Sequence, residues 1–265
     1  MPDIPPTTET PVSEPRPQQS LVARLLNILA APGEVFASIR NAPPAHANWL
    51  VPAIILVAVS WLGAWLVFSD ASIRQQLREL SEKAIEQQIA RQHMPEAQAA
   101  KAREAAEKFA DLGPILGGVA GPVIVAFVTP FFVGLLLWVV ANHALKAPLP
   151  YFKAVEVVGL AAMISVLDAI VRTLLILVMS RPTASLSPAL FIKDFDPANA
   201  LHSLAVFVNP LVIWLLIVRA MGMAAVTGKS FRKAAVWVFG LWIGYSGMMW
   251  ATGWMAQHAA KKMGG

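Results

Sequence analysis

Asp168 and Arg172 are the residues of this 265-residue chain most able to do chemistry, because both fall inside a long apolar stretch. An ionised side chain alone at a bilayer centre costs roughly 2.5–3.5 kcal/mol on insertion scales, which makes intramembrane charge a functional candidate by default. A spacing of four places the two on one helical face, where they can neutralise each other. Two uses fit. One is a polar lining for a substrate, a proton or a lipid headgroup; the other is a structural ion pair turned towards the bundle or an interface. The structural use is preferred, since no further reactive residue converges on the pair. Glu156, near the start of the same stretch, reads as interfacial.

Other reactive patterns lack their spacing. Gly228-Lys229-Ser230 ends like a phosphate-binding loop, but Met223 stands where that loop needs glycine, and no strand precedes it. His46, His93, His143, His202 and His258 show no ligand spacing and no HExxH, so no metal site is expected. Ser60 and Ser165 lie in apolar stretches without a nucleophile signature. The absence of cysteine excludes disulfides, thiolate catalysis and Cys-ligated metals. The expectation is a non-enzyme with no catalytic residue and no cofactor. Two small-residue patterns remain, Gly117 with Gly121, and Gly240 with Gly244 followed by Gly247. Both permit close helix approach, preferably inside the bundle, alternatively between copies in a homo-oligomer.

The elements that must carry these residues are oily. Hydrophobic residues make up 57% of the chain, charged residues 14%, and mean hydropathy is +0.58. About twenty residues of helix cross the roughly 30 Å hydrocarbon core of a bilayer. Five stretches qualify: Trp49 to Phe68, closed by Asp70; a helix within Leu112 to Leu145; Ala154 to Met179; Asp196-Pro197 past Asn209-Pro210 to about Ala220; and Ala234 to Met255. The second contains Pro114, Pro122 and Pro130, which predicts a tilted or kinked helix starting near Pro114, with neighbouring helices covering the freed carbonyls. Trp49, Trp138 and Trp254 fall near span ends, where an amphipathic ring is favoured. Trp61, Trp65 and Trp242 lie deeper and read as helix-packing residues.

The fold class expected is therefore all-α: a polytopic membrane protein of five transmembrane helices, with N-terminal interfacial helices and an extramembrane helical segment between spans one and two. Residues 1–19 lack the apolar core of a signal peptide and read as a disordered tail. Residues 20–46 carry an apolar stripe of Leu21, Val22, Leu25, Leu26, Ile28 and Leu29, then Val35, Phe36 and Ile39 after Pro32-Gly33. They read as two short amphipathic helices on the membrane surface, the other reading being a helical pair packed on the rest of the protein. Residues 47–256 form the membrane domain, and 257–265 a C-terminal tail. Within it, 70–111 reads as two helices outside the membrane, broken at Met94-Pro95, with Glu79–Lys83 and Glu104–Lys108 at the favourable spacing of four.

A net charge of +5 fits basic residues at helix ends meeting anionic headgroups, so the bilayer rather than nucleic acid is the expected partner. Lys and Arg number nine on the N-terminal side of the spans and four opposite, or eleven opposite when the 70–111 segment is added. The basic cluster before span five favours a cytoplasmic N-terminus.

Several short motifs occur in a known order. Leu29-Ala30-Ala31-Pro32 with Phe36, Trp49 with Pro52, Tyr151-Phe152-Lys153-Ala154, Phe207 with Trp214, and Gly222, Gly228, Ser230 and Ala234 together resemble the Yip family domain over roughly residues 21 to 256. The resemblance implies five spans, a cytoplasmic N-terminus and a C-terminus on the far side. Eukaryotic members interact with Rab-type GTPases, but this chain lacks their Asp-Leu-Tyr-Gly-Pro signature and long cytosolic domain. It looks more like the prokaryotic branch, which implies a bacterial inner membrane. The function expected is that of a membrane organiser or adaptor with unknown protein partners. The alternative is a small-molecule or lipid transporter or flippase built around Asp168 and Arg172.

Overall fold

Each apolar run forms a helix, because in a bilayer only helical backbone satisfies its own N–H and C=O groups. The computed structural model describes residues 19–192, 202, 204, 205 and 208–263, the side chains of 91, 109–115 and 253–263 excepted. The expected N-terminal tail, the Asp196-Pro197 helix start, Phe207 and the Trp254 side chain lie outside them. In chain order the helices are α1 (Leu21–Asn27), α2 (Pro32–Ile39), α3 (Ala47–Ser69), α4 (Ala71–Gln92), α5 (Glu96–Gly113), α6 (Gly121–Val139), α7 (Tyr151–Met179), α8 (Pro210–Thr227) and α9 (Phe231–Met263). Turns of π-helix, Pro114–Ala120 and Val140–Ala144, extend α6 at both ends, and a 3₁₀ turn lies at Pro188–Phe191. No strand occurs among the described residues. Five helices are long and apolar enough to cross a membrane: α3, the π-extended α6, α7, α8 and α9.

Helix ends follow local chemistry. The Ser20 hydroxyl accepts the Ala23 N–H at 3.2 Å and caps α1. Asp70 alone joins α3 to α4: its extended backbone stops one helix, and its carboxylate accepts from Ser72 and Ile73 N–H at 2.8 and 3.1 Å to start the next. Asn209 caps α8 through the Leu211 N–H at 2.8 Å, with Pro210 in the first turn. That helix runs seven residues past the expected end at Ala220, because its stop signal is Gly228, in the left-handed region at φ 66°. In the stretch loosened ahead of Pro122, Trp61 Nε1 donates to the Val119 carbonyl at 3.0 Å, so a neighbouring helix does cover a carbonyl there. Trp61, 45% exposed, thus still meets a neighbouring helix through its indole N–H, whereas Trp65 is 65% exposed and faces outward, and the helix-packing reading is corrected for Trp65.

The central element is α7. Lys153 to Ala161 are buried without interruption, as expected of a helix surrounded on all sides. Three glycines bring its neighbours close. A Cβ on Gly159 would overlap Trp49 of α3, one on Gly134 of α6 would lie 2.9 Å from Val155, and one on Gly222 of α8 would lie 2.5 Å from Val157 and 2.8 Å from Phe36. The glycines singled out by spacing behave otherwise. Among the described residues, a Cβ at Gly117, Gly240 or Gly244 would meet nothing within 4 Å, and one at Gly121 only the Leu116 carbonyl oxygen, so the described helix contacts do not use these glycines. Which glycine is used depends on which helix lies opposite, and α9 is the least enclosed span.

The apolar stripe of α1 and α2 turns inward. Ile28, Val35, Phe36 and Ile39 are buried with Val157, Leu160, Ile164 and Val218, leaving Val22 and Leu26 exposed. For α2, packing on the rest of the protein is the arrangement found. Between the first two spans, α4 and α5 are joined by an ion pair from Arg103 to Glu86 (2.7 Å), with Arg103–Glu96 (3.2 Å) and Lys108–Glu104 (2.7 Å) along α5.

Candidate functional site

The first turns of α7 place Lys153 and Glu156 three residues apart on one face, with 5% and 2% of their side chains exposed. Two charges so deeply buried persist only when paired and hydrogen-bonded. Lys153 Nζ donates to Glu156 Oε2 at 2.5 Å and to the Ile39 carbonyl at 2.9 Å. That carbonyl closes α2 and also accepts from the Ala42 N–H at 3.2 Å, so the ammonium sits at the negative end of α2. Glu156 Oε1 accepts from Asn48 Nδ2, at the start of α3. Asn48, fully buried, accepts in turn from Arg24 Nη1 of α1 at 3.3 Å. Four helices thus meet in one polar chain: Arg24 (α1), Asn48 (α3), Lys153 and Glu156 (α7), and the end of α2. The interfacial reading of Glu156 is corrected: it lies in the core.

Trp49, one residue after Asn48, carries the adjoining apolar contacts. Its ring packs edge-on to Phe131 at 4.9 Å, and its backbone fills the notch left by Gly159. Tyr151 Oη donates to the Phe131 carbonyl at 3.0 Å, fixing the start of α7 against α6. Asn142 donates to the Trp138 and Leu149 carbonyls at 2.9 and 3.2 Å, which closes the short connection between those two spans.

The pair chosen by spacing is arranged differently. Asp168 is half-buried and accepts from Asn209 Nδ2 at 2.9 Å, a bond between α7 and the capping residue of α8. Arg172 is exposed, and among the described residues the two form no ion pair. Seven residues before the end of α7, Arg172 stands about 10 Å from that end, within reach of the headgroups for a long side chain. No group of three or more His, Cys, Asp or Glu suited to a metal occurs among the described residues.

A family model for the Yip1 domain matches residues 26–253. The chain belongs to the Yip1 domain family. Comparison with curated proteins and with solved structures gives no match. The Yip1 domain takes in Asn48, Lys153 and Glu156, while Arg24 stands two residues ahead of it. Several motif residues of this Yip1 domain are contact residues: Phe36 against Gly222, Trp49 against Gly159, and Lys153 against Glu156. Asn48 and Glu156 were missed in the sequence because their partners lie far off: Asn48 is 108 residues from Glu156, and Lys153 is 114 from Ile39. The available signal was Lys153 and Glu156 at a spacing of three where a span begins.

Proposed function

We propose that this integral membrane protein is a non-enzymatic organiser or adaptor, lodged in a bacterial inner membrane with its N-terminus in the cytoplasm. The observation that carries the reading is the occupancy of its buried charge. Both Glu156 oxygens have donors, and the Lys153 ammonium has two acceptors drawn from two helices. Such a group holds N-terminal helices to spans; it offers no open position to a substrate. The outer span, α9, meanwhile presents Val236, Trp237, Ile243, Met248 and Met249 outward, where lipid or a partner protein can pack. The test is cryo-electron microscopy of vesicles reconstituted at increasing protein density. The reading expects a protein-dependent change in vesicle shape or clustering, and vesicles indistinguishable from protein-free controls would contradict it.

A carrier or flippase is the second reading, favoured by the Asp168–Asn209 bond, which leaves one intramembrane carboxylate with a neutral partner beside a helix that begins at proline. It expects solute or labelled-lipid flux in the same vesicles, abolished in Asp168→Leu/Arg172→Leu. Flux retained by that variant removes the site, and no flux in the wild type removes the reading.

A further inference from the structure

The turn between the last two spans is three residues long, so Gly228, Lys229 and Ser230 lie where two membrane helices end. Here a groove of about 560 Å³ opens, lined by Lys229, Arg232 and Lys233 together with Leu145, Val236 and Trp237. Arg232 and Val236, like Lys233 and Trp237, are four apart on α9. Each cation therefore stands one helical turn above an apolar side chain on the same face. Val236 is 70% and Trp237 44% exposed. A fourth cation closes on the turn from α2, since Arg40 Nη2 lies 2.8 Å from where a Cβ on Gly228 would stand. Among the described residues none of Lys229, Arg232 and Lys233 is ion-paired. The first turn of α9 adds unpaired backbone N–H groups and the positive end of its dipole.

We infer that this groove binds the phosphodiester headgroup of an anionic phospholipid. The three groove cations take the phosphate, and Val236 and Trp237 line the path of the first acyl segment. Lipid is chosen over free phosphate because the cationic rim continues into an apolar wall on the outside of a span, where an acyl chain is the natural neighbour and a soluble anion gains nothing. Trp237 at this level suits the headgroup boundary. Basic pockets beside transmembrane helices recognise anionic headgroups in this manner. The inference needs the spans to cross a bilayer and is independent of the organiser reading.

The test is native mass spectrometry of the full chain in detergent, titrated separately with phosphatidylglycerol, phosphatidylcholine and inorganic phosphate. The wild type is expected to retain phosphatidylglycerol and release phosphatidylcholine. At about fivefold per cation, Lys229→Gln/Arg232→Gln/Lys233→Gln is expected to lose roughly a hundredfold in phosphatidylglycerol affinity. The charge-matched control Lys83→Gln/Lys101→Gln/Lys108→Gln, on α4 and α5, is expected to keep it. Val236→Ser/Trp237→Ser is expected to weaken lipid binding alone. Equal retention of the two lipids, equal loss in the control, or inorganic phosphate displacing lipid at comparable concentration would each overturn the inference. Circular dichroism of each variant confirms that the helices are intact.

Discussion

Glu156 and Lys153 are three residues apart in the chain and share one salt bridge, yet their importance comes from what lies around them. Removing one partner of a buried pair strands the other charge, at a cost of about 3–5 kcal/mol, whereas replacing both by apolar groups of similar size is near neutral. Glu156→Ala is therefore expected to lower the thermal unfolding temperature in detergent sharply, and Lys153→Met/Glu156→Leu to recover most of that loss. An equal loss in both variants would show that the charges do more than neutralise each other. Hydropathy drew attention to Asp168 and Arg172 because they interrupt an apolar run, and it passed over Glu156 because it stands where a run begins. A residue at a span end is interfacial only if no other element covers it. Here α1 and α2 fold back over the ends of α3 and α7, and that return is set by contacts more than a hundred residues apart.

At the scale of elements four of the spans were legible from length and hydropathy, and Asp70 was legible as the end of the first. The fourth span was not, because it was expected to run unbroken through Asn209-Pro210 to about Ala220, whereas Asn209 is extended and caps a helix that starts at Pro210 and ends at Thr227. Helix packing was not legible. The spacing of Gly240 and Gly244 matches an approach motif, but none of the described residues lies within 4 Å of a Cβ at either, while the isolated Gly159 accepts the backbone of Trp49. Gly159→Val is thus expected to force α3 away from α7 and to abolish a cooperative melt. Gly240→Ala fills open space and is expected to stabilise α9 by about 0.5–1 kcal/mol through backbone entropy. A melt unchanged by Gly159→Val would refute the assigned crossing. Outside the membrane, the Arg103 hydrogen bond holds the Glu86 carboxyl below its ordinary pKa of 4.5. A depressed carboxylate contributes to the α4–α5 pairing above its unfolded pKa, and the contribution fades as pH falls through the lower folded value. Spin labels on α4 and α5 are expected to keep their separation from pH 7 down to about 5 and to spread only in stronger acid. Separation already lost at pH 6 would exclude this pair as the tie.

For the whole molecule, one interior helix with three spans laid against it by glycine contacts, and a polar chain fastening the N-terminal helices to that interior, describe a protein built to hold a shape in the bilayer. Five crossings require the α6–α7 and α8–α9 connections to lie on the side of α2, and α4, α5 and the segment after α7 to lie on the other. The chain contains no cysteine, so single replacements report side without background. The deciding measurement is membrane-impermeant thiol labelling of Ser38→Cys, Gln87→Cys, Lys146→Cys, Ser185→Cys and Lys229→Cys in sealed vesicles. The account predicts that positions 38, 146 and 229 label together, and that 87 and 185 label only from the opposite face. Labelling of 146 or 229 with 87, or release of the protein from the membrane by alkaline carbonate, would contradict it.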